Sequence, residues 1–189
     1  MDRLELSRFL HHLPASLLGI AGALVIPSMG TVGVLRIQAA VRTLVSDLTF
    51  AQADAMLGRI QNDLFDVGAD LCTPVVDAPA VEPLRITQAY IDFLERSCDE
   101  YNEHLEPLRS FVLPGGTTAA AHLHVARTVV RRAERSTWAA LDMYHGGMNH
   151  LTATYLNRLS DLLFILARFA NKSQGDVLWA PGAHAPKSE

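Results

Sequence analysis

Apolar residues recur at steps of three and four along most of the chain after residue 50, and no stretch shows the two-residue alternation of a half-buried strand. Arg36 to Phe50 reads as a short amphipathic helix with Ile37, Val41, Leu44 and Leu48 on one side. From Ala51 a longer helix begins, carrying Met56, Ile60, Leu64 and Val67 on its apolar side. Asp63, Asp66 and Asp70 recur on another side, as a solvated face or as three candidate metal ligands. Thr73-Pro74 stops this helix, because the residue before a proline is pushed out of the helical region. A proline-rich connection leads to Thr87, a candidate cap for a helix from Gln88 to about Glu103. Tyr90, Ile91 and Leu94 are its apolar side, and Glu95, Asp99, Glu100 and Glu103 its wet face. Thr117 or Thr118 caps the next helix, which runs to about Met143, with Ala121, Val125, Val129 and Ala133 toward a core. After His145-Gly-Gly147 the last helix spans Leu151 to Ala170, with Leu156, Leu159, Leu163 and Leu166 inward. The expectation is an all-α fold, an antiparallel helical bundle of four to five helices with short connections.

The two ends read differently. From Phe9 to Leu35 there is no Asp, Glu, Lys or Arg. Length alone permits a membrane span, but Pro27 and four glycines argue against one, and a segment at the edge of the fold is the plainer reading. The end of the chain is rich in Gly, Pro and Ser and reads as a flexible tail. The expected organisation is an N-terminal segment 1–50, a helical core 51–171 and a tail 172–189. The net charge of −4 over 189 residues argues against a nucleic-acid partner bound by bulk charge. Cys72 and Cys98 have neither zinc spacing nor a disulfide framework, which fits the cytoplasm. The eight histidines form no metal-binding pair, and no residue is assigned to a metal.

Candidate chemistry concentrates in HLHVARTVVRRAER, residues 122–135. On a helix, Arg127, Arg131 and Arg135 fall on successive turns of one side, with Glu134 beside them. Guanidinium groups so stacked repel one another unless something neutralises them. The choices are the glutamate, acids of a neighbouring helix or subunit, or a polyanion, and arginine forks suit phosphate oxygens. A solvated basic face is the simpler alternative. Just upstream, FVLPGG (111–116) turns the backbone into the helix, as a plain turn or as an anion-holding N-terminus, with Phe111 as a core candidate. Asn157 and Asp161 share one side of the last helix, and Asp161 is a candidate partner for a ladder arginine.

Four motifs occur in order: IQNDLFDVGADL (60–71), FVLPGG (111–116), ARTVVRRAER (126–135) and YLNRLSDLLF (155–164). Together they resemble the PduO-type ATP:cob(I)alamin adenosyltransferases over roughly Met56 to Val177. The resemblance implies a five-helix bundle assembled as a homotrimer, with each active site at a subunit interface. It implies transfer of the 5′-deoxyadenosyl group of ATP to the cobalt of cob(I)alamin, giving adenosylcobalamin and tripolyphosphate, with Mg2+. Arg131, Arg132 and Arg135 match positions that bind ATP. Glu134 matches a residue that orients the nucleotide or its magnesium surroundings, and Asn157 an asparagine at the nucleotide. Arg127 matches an arginine that pairs with an aspartate of the neighbouring subunit. Arg127 and Arg131 are the implied catalytic residues. Phe111 matches the aromatic that displaces the lower axial ligand of cobalamin, which eases reduction to Co(I).

The resemblance stops short of the N-terminus. The family's TGDxGxT phosphate loop, its SRxxK segment and its VDELN helix have no clear counterpart. Counting back from Ile60 places the acid expected to pair with Arg127 near Val34, yet no acid lies between Arg8 and Ser46. Three explanations are open: a mis-read start, a degenerate relative, or a diverged loop that binds ATP through other residues. The alternative function is a helical module that binds a corrinoid, a nucleotide or partner subunits without catalysis.

Overall fold

The computed structural model describes residues 48–79 and 81–183. They form four helices: α1 (Leu48–Leu71), α2 (Gln88–Asn102), α3 (Thr118–Met143) and α4 (Leu151–Ala170). Chain direction alternates from one to the next. Tyr90 of α2 meets Asp66 of α1 and Arg59 of α1 meets Phe93 of α2, so these two run antiparallel. Glu134 meets Asn157 near mid-helix while Thr117 meets Ala170, so α3 and α4 are antiparallel too. The bundle of the sequence reading is present. Of the expected helix from Arg36 to Phe50, the part up to residue 47 lies outside the described residues, and Leu48–Phe50 are the first turn of α1 rather than the end of a separate element.

Helix α4 is the hub. It packs most extensively on α3, next on α2, and touches α1. Leu156, Leu159, Leu163 and Leu166 are buried as their spacing predicts. Tyr155, Leu162 and Phe169 are buried as well, because neighbours surround α4 on more than one side. Each such leucine contributes roughly 1.5–3 kcal/mol of transfer free energy on burial. The inward side of α1 is turned slightly from the predicted one: Ala53, Leu57, Ile60, Val67 and Leu71 are buried, while Met56 and Leu64 pack against the core at its margin. The correction on α3 is larger. Ala121 and Val125 are exposed, and the core side is Ala120, Leu123, Val130, Ala133, Thr137 and Ala140. Ala133 is buried as expected, but the rest of the stripe is rotated, with Arg127, Arg131 and Glu134 facing α4 together with the apolar residues.

Buried polar side chains fasten the turns. Asp63 and Asp70, expected on a wet face, are buried. Asp70 sits under the connection between α1 and α2. It accepts from Arg85 Nη1 at 2.5 Å, from the Ile86 backbone N–H at 2.7 Å and from Asn149 Nδ2 at 2.7 Å. Asn149 also donates to the Ile86 carbonyl at 2.8 Å, and its Oδ1 accepts from the Leu151 N–H at 3.1 Å, tying the start of α4 to the end of α1. No cluster of three or more His, Cys, Asp or Glu side chains suited to a metal occurs among the described residues. Thr87 occupies the N-cap of α2, but its side chain makes no capping hydrogen bond. Thr117 does cap α3, accepting from the Ala120 N–H at 3.2 Å.

At the far end of α4, Asn171 is fully buried. Its Oδ1 accepts from the Thr117 N–H at 2.8 Å and its Nδ2 donates to the Gly115 carbonyl at 2.9 Å. The Pro-Gly-Gly entry is therefore a turn locked by a side chain, with the Thr117 amide taken by Asn171 and the Ala120 amide by the Thr117 hydroxyl. Gly116 has φ of 97°, and a Cβ there would overlap the Asn171 side chain. Gly175 has φ of 81° but open space around it. Gly175→Ala is expected to cost about 1 kcal/mol from backbone conformation alone. Gly116→Ala is expected to cost about 3 kcal/mol because overpacking adds to the same strain. Urea unfolding of both variants checks this, and equal costs would show that Asn171 does not constrain the turn.

Candidate functional site

The seam between α3 and α4 carries the ladder. Glu134 is buried, at 5% exposure. A carboxylate so placed needs compensation, and two groups supply it. Arg131 Nη1 bonds to its Oε2, and Asn157 Nδ2 donates to its Oε1 at 2.9 Å. Arg131 and Glu134 are three residues apart on α3, and Asn157 reaches across from α4. One face of Arg131 is thus fixed while the rest of its fork stays accessible.

Beside this group lies a shallow cleft of about 290 Å³ lined by Arg127, Arg131, Ser160, Asp161 and Phe164. The Arg127 guanidinium stands 5.2 Å from the centroid of the Phe164 ring. Arg127 forms no ion pair among the described residues. The position near Val34 where its partner acid was expected lies outside them. Asp161 faces the cleft but pairs with Arg158 on its own helix at 3.0 Å, not with a ladder arginine. Arg158 also reaches Glu95 of α2 at 3.2 Å. Arg135 is exposed and donates to the Arg131 carbonyl at 3.2 Å, one turn beyond the cleft. Arg132 is exposed on another side of α3. The structure therefore joins Arg127, Arg131, Glu134 and Asn157, and leaves Arg132 and Arg135 at the margin.

Phe111 is neither in the core nor in this cleft. It is 76% exposed, with its ring centroid 5.8 Å from that of Trp179. Residues 110–113 and 177–179 pair antiparallel through the isolated bridge between Val112 and Leu178. The expected flexible tail is thus held down over 176–179 by this pairing and by the ion pair of Asp176 with Arg168 at 2.9 Å.

Three features escaped the sequence reading. Phe164 and Ser160 lie in YLNRLSDLLF, and the step from Asn157 through Asp161 to Phe164 was a usable helical signal. Asn171 gave none, since its partners are backbone groups far away in sequence. His124 gave no signal, since the histidines form no metal-binding pair. It is buried beside Phe164, ring centroids 6.2 Å apart, with neither ring nitrogen hydrogen-bonded.

The family model "Cobalamin adenosyltransferase" matches residues 23–170. The chain belongs to the cobalamin adenosyltransferase family. The match reaches upstream of the four motifs, into residues 23–47, outside the described ones. The chain is similar to a corrinoid adenosyltransferase of Mycobacterium tuberculosis, 64% identical over 131 residues that make up 69% of this chain and 67% of the relative. A corrinoid adenosyltransferase of Bacillus subtilis is 36% identical over 152 residues, 79% of this chain and 76% of that one. Among solved structures, an arginine-to-lysine variant of the PduO-type ATP:corrinoid adenosyltransferase from Lactobacillus reuteri, complexed with ATP, superposes with a TM-score of 0.70 at 30% identity, covering 87% of each chain. A phenylalanine-to-histidine variant from the same organism, complexed with cobalamin and ATP, gives 0.64 at 32% identity, covering 80% of this chain and 82% of that one.

Burial of His124, reinforced by the charge of Arg127 and opposed by Asp176, holds its imidazole below the ordinary value of 6.5. The unfolded chain then takes up this proton first as the pH falls. Stability is full above about pH 6.5 and is lost as the pH drops toward the lowered value. His124→Phe is expected to lose less stability than the parent between about pH 7.5 and pH 5.5, read from urea midpoints. Parallel losses in both proteins would mean that His124 does not titrate on unfolding.

Proposed function

We propose that this chain transfers the 5′-deoxyadenosyl group of ATP to the cobalt of cob(I)alamin, releasing tripolyphosphate, as a homotrimer in the cytoplasm. The observation that carries the reading is the joined set Arg127, Arg131, Glu134 and Asn157 beside an open cleft, in a member of this family. Cob(I)alamin is itself a strong nucleophile, so no serine, cysteine or base is needed to make one. Its electron pair forms the bond to C5′, the C5′–O bond breaks, and the triphosphate leaves with the bonding pair. What the protein contributes is positioning and charge neutralisation.

The residues divide this work. Glu134 and Asn157 fix the Arg131 fork, so its free N–H groups meet phosphate oxygens without reorganising. Arg127, held against Phe164, adds a second positive charge along the same cleft. Arg135, one turn beyond the cleft, extends the positive surface toward the rest of the triphosphate, and Arg132, on another side of α3, meets a nucleotide held between subunits. The only carboxylates at the cleft among the described residues are Glu134 and Asp161, both engaged by arginines. This donor set suits Mg2+ that arrives with the nucleotide phosphates rather than one caged by the protein. Phe111, outside the cleft and exposed, fits a residue that meets the corrin ring. That it is not a lining residue of the cleft supports an active site shared between subunits. Cys72 and Cys98 are free thiols rather than a disulfide pair, which fits a reducing compartment. No helix among the described residues is long and apolar enough to cross a membrane.

The direct test is anaerobic adenosylation of chemically reduced cob(I)alamin with ATP and Mg2+, followed by absorbance. Turnover is expected. Absence of turnover from a folded, ATP-binding sample would favour the non-catalytic binding module. Arg131→Ala is expected to lower transfer by at least roughly a hundredfold with helical circular dichroism retained, as for removal of one preorganised charge donor. Near-normal turnover in that variant would remove the ladder from the mechanism. Phe111→Ala, assayed from cob(II)alamin with a reduced flavin, is expected to reduce transfer more than ATP affinity, and equal losses in the two measurements would count against a corrinoid contact.

A further inference from the structure

The assignments so far leave Trp179 without a role. Its position is set by backbone pairing. The Leu113 N–H donates to the Val177 carbonyl at 2.7 Å, the Trp179 N–H to the Phe111 carbonyl at 2.8 Å, and the Ser110 hydroxyl to the Trp179 carbonyl at 2.7 Å. With Val112 opposite Leu178, the register puts Phe111 opposite Trp179 and Leu113 opposite Val177, all four on one face of the two-stranded clip. The Phe111 and Trp179 rings are tilted by 57° at 5.8 Å, inside the range of favourable aromatic pairs. Among the described residues Trp179 is the one ring that touches Phe111.

Both halves of the clip are anchored on one side chain. The buried Arg168 guanidinium donates from Nε to Asp176 at 2.9 Å, just ahead of Val177, and from Nη2 to the Glu106 carbonyl at 2.6 Å, just ahead of the Phe111 segment. Four apolar side chains nonetheless stay open on this face of the clip, Phe111 at 76%, Leu113 at 42%, Val177 at 40% and Trp179 at 45% exposure, and Leu178 is open on the opposite face. An exposed phenylalanine is free to turn about its side-chain bonds, and a ring wall on one side removes part of that freedom. The face is apolar and continuous with Phe111, so on the reading that Phe111 meets the corrin ring its occupant is the lower face of that ring.

We infer that Trp179 is a positioning residue for Phe111: the strap 176–179 holds the Phe111 ring where the lower ligand of cobalt would otherwise sit. This rests on the adenosyl-transfer reading above. Co(II) in cobalamin keeps a lower ligand, and one electron from a reduced flavin converts it to Co(I), which keeps none. A ring held in the lower position therefore helps the reduction of Co(II). It has little to add once Co(I) is already formed.

The experiment compares the parent with Trp179→Ala and Trp179→Phe by two routes, from cob(II)alamin with reduced flavin and from chemically prepared cob(I)alamin, both with ATP. Trp179→Ala is expected to slow the Co(II) route roughly five- to tenfold, the worth of an aromatic pair. It is expected to stay within about twofold of the parent in the Co(I) route and in KM for ATP. The absorbance of the Co(II) form lacking its lower ligand should weaken in step, and Trp179→Phe should recover most of both. Equal losses by the two routes would show that the ring only supports the fold, and no loss by either would show that Phe111 needs no wall; each overturns the inference. A parent inert in the Co(I) route overturns the transfer reading itself, and this inference with it.

Discussion

Burying the Glu134 carboxylate between α3 and α4 is the constraint on which the site depends. An unpaired charge there costs several kcal/mol, so the seam closes only with Arg131 and Asn157 both in place. That requirement fixes the rotation of α3. It turns Arg127 and Arg131 toward α4 and pushes Ala121 and Val125 outward, against the simplest apolar pattern. It also aligns the two helices lengthwise, since a carboxylate and an amide meet at 2.9 Å at one relative height. On the proposed reading, geometry that serves a phosphate is thereby held by a bond the seam itself needs.

The same device recurs at both ends of α4. Asn149 before it and Asn171 after it are side chains whose partners lie in distant turns, at Asp70 and Ile86 in one case and at Gly115 and Thr117 in the other. Asparagine suits this because one amide both donates and accepts. With its two ends and its middle fastened by polar contacts, α4 has little room to slide against α3. The leucines supply most of the favourable free energy, but they are tolerant of small shifts; the polar groups are not.

This difference explains what the chain reveals before folding. Helix spans follow from periodicity and punctuation, and α4 begins and ends where Gly147 and the last periodic residue indicate. The joined residues Arg131, Glu134 and Asn157 were legible because two of the four motifs contain them. Facing was legible only where apolar residues alone decide it, as along the leucines of α4. On α1 and α3 it was misjudged, because Asp63, Asp70 and Glu134 are buried through partners that lie far away in sequence. The clip between 111–113 and 177–179 was hidden for the same reason: a Gly- and Pro-rich tail shows its composition but not the strand it will pair with.

A cleft that accelerates departure of a triphosphate must be positive when empty, and that is a strained condition. Arg131 tolerates it because Glu134 offsets its charge from one side only. Arg127 tolerates it differently, by lying against the Phe164 ring, whose face attracts a cation without neutralising it. His124, buried behind the same ring and kept neutral, adds no further charge near physiological pH. Were it protonated, a third positive group would crowd this region, and the balance that keeps Arg127 free for an anion would be lost. The ladder is therefore held in place by one acid, one amide and one aromatic ring, which leave part of its charge uncompensated.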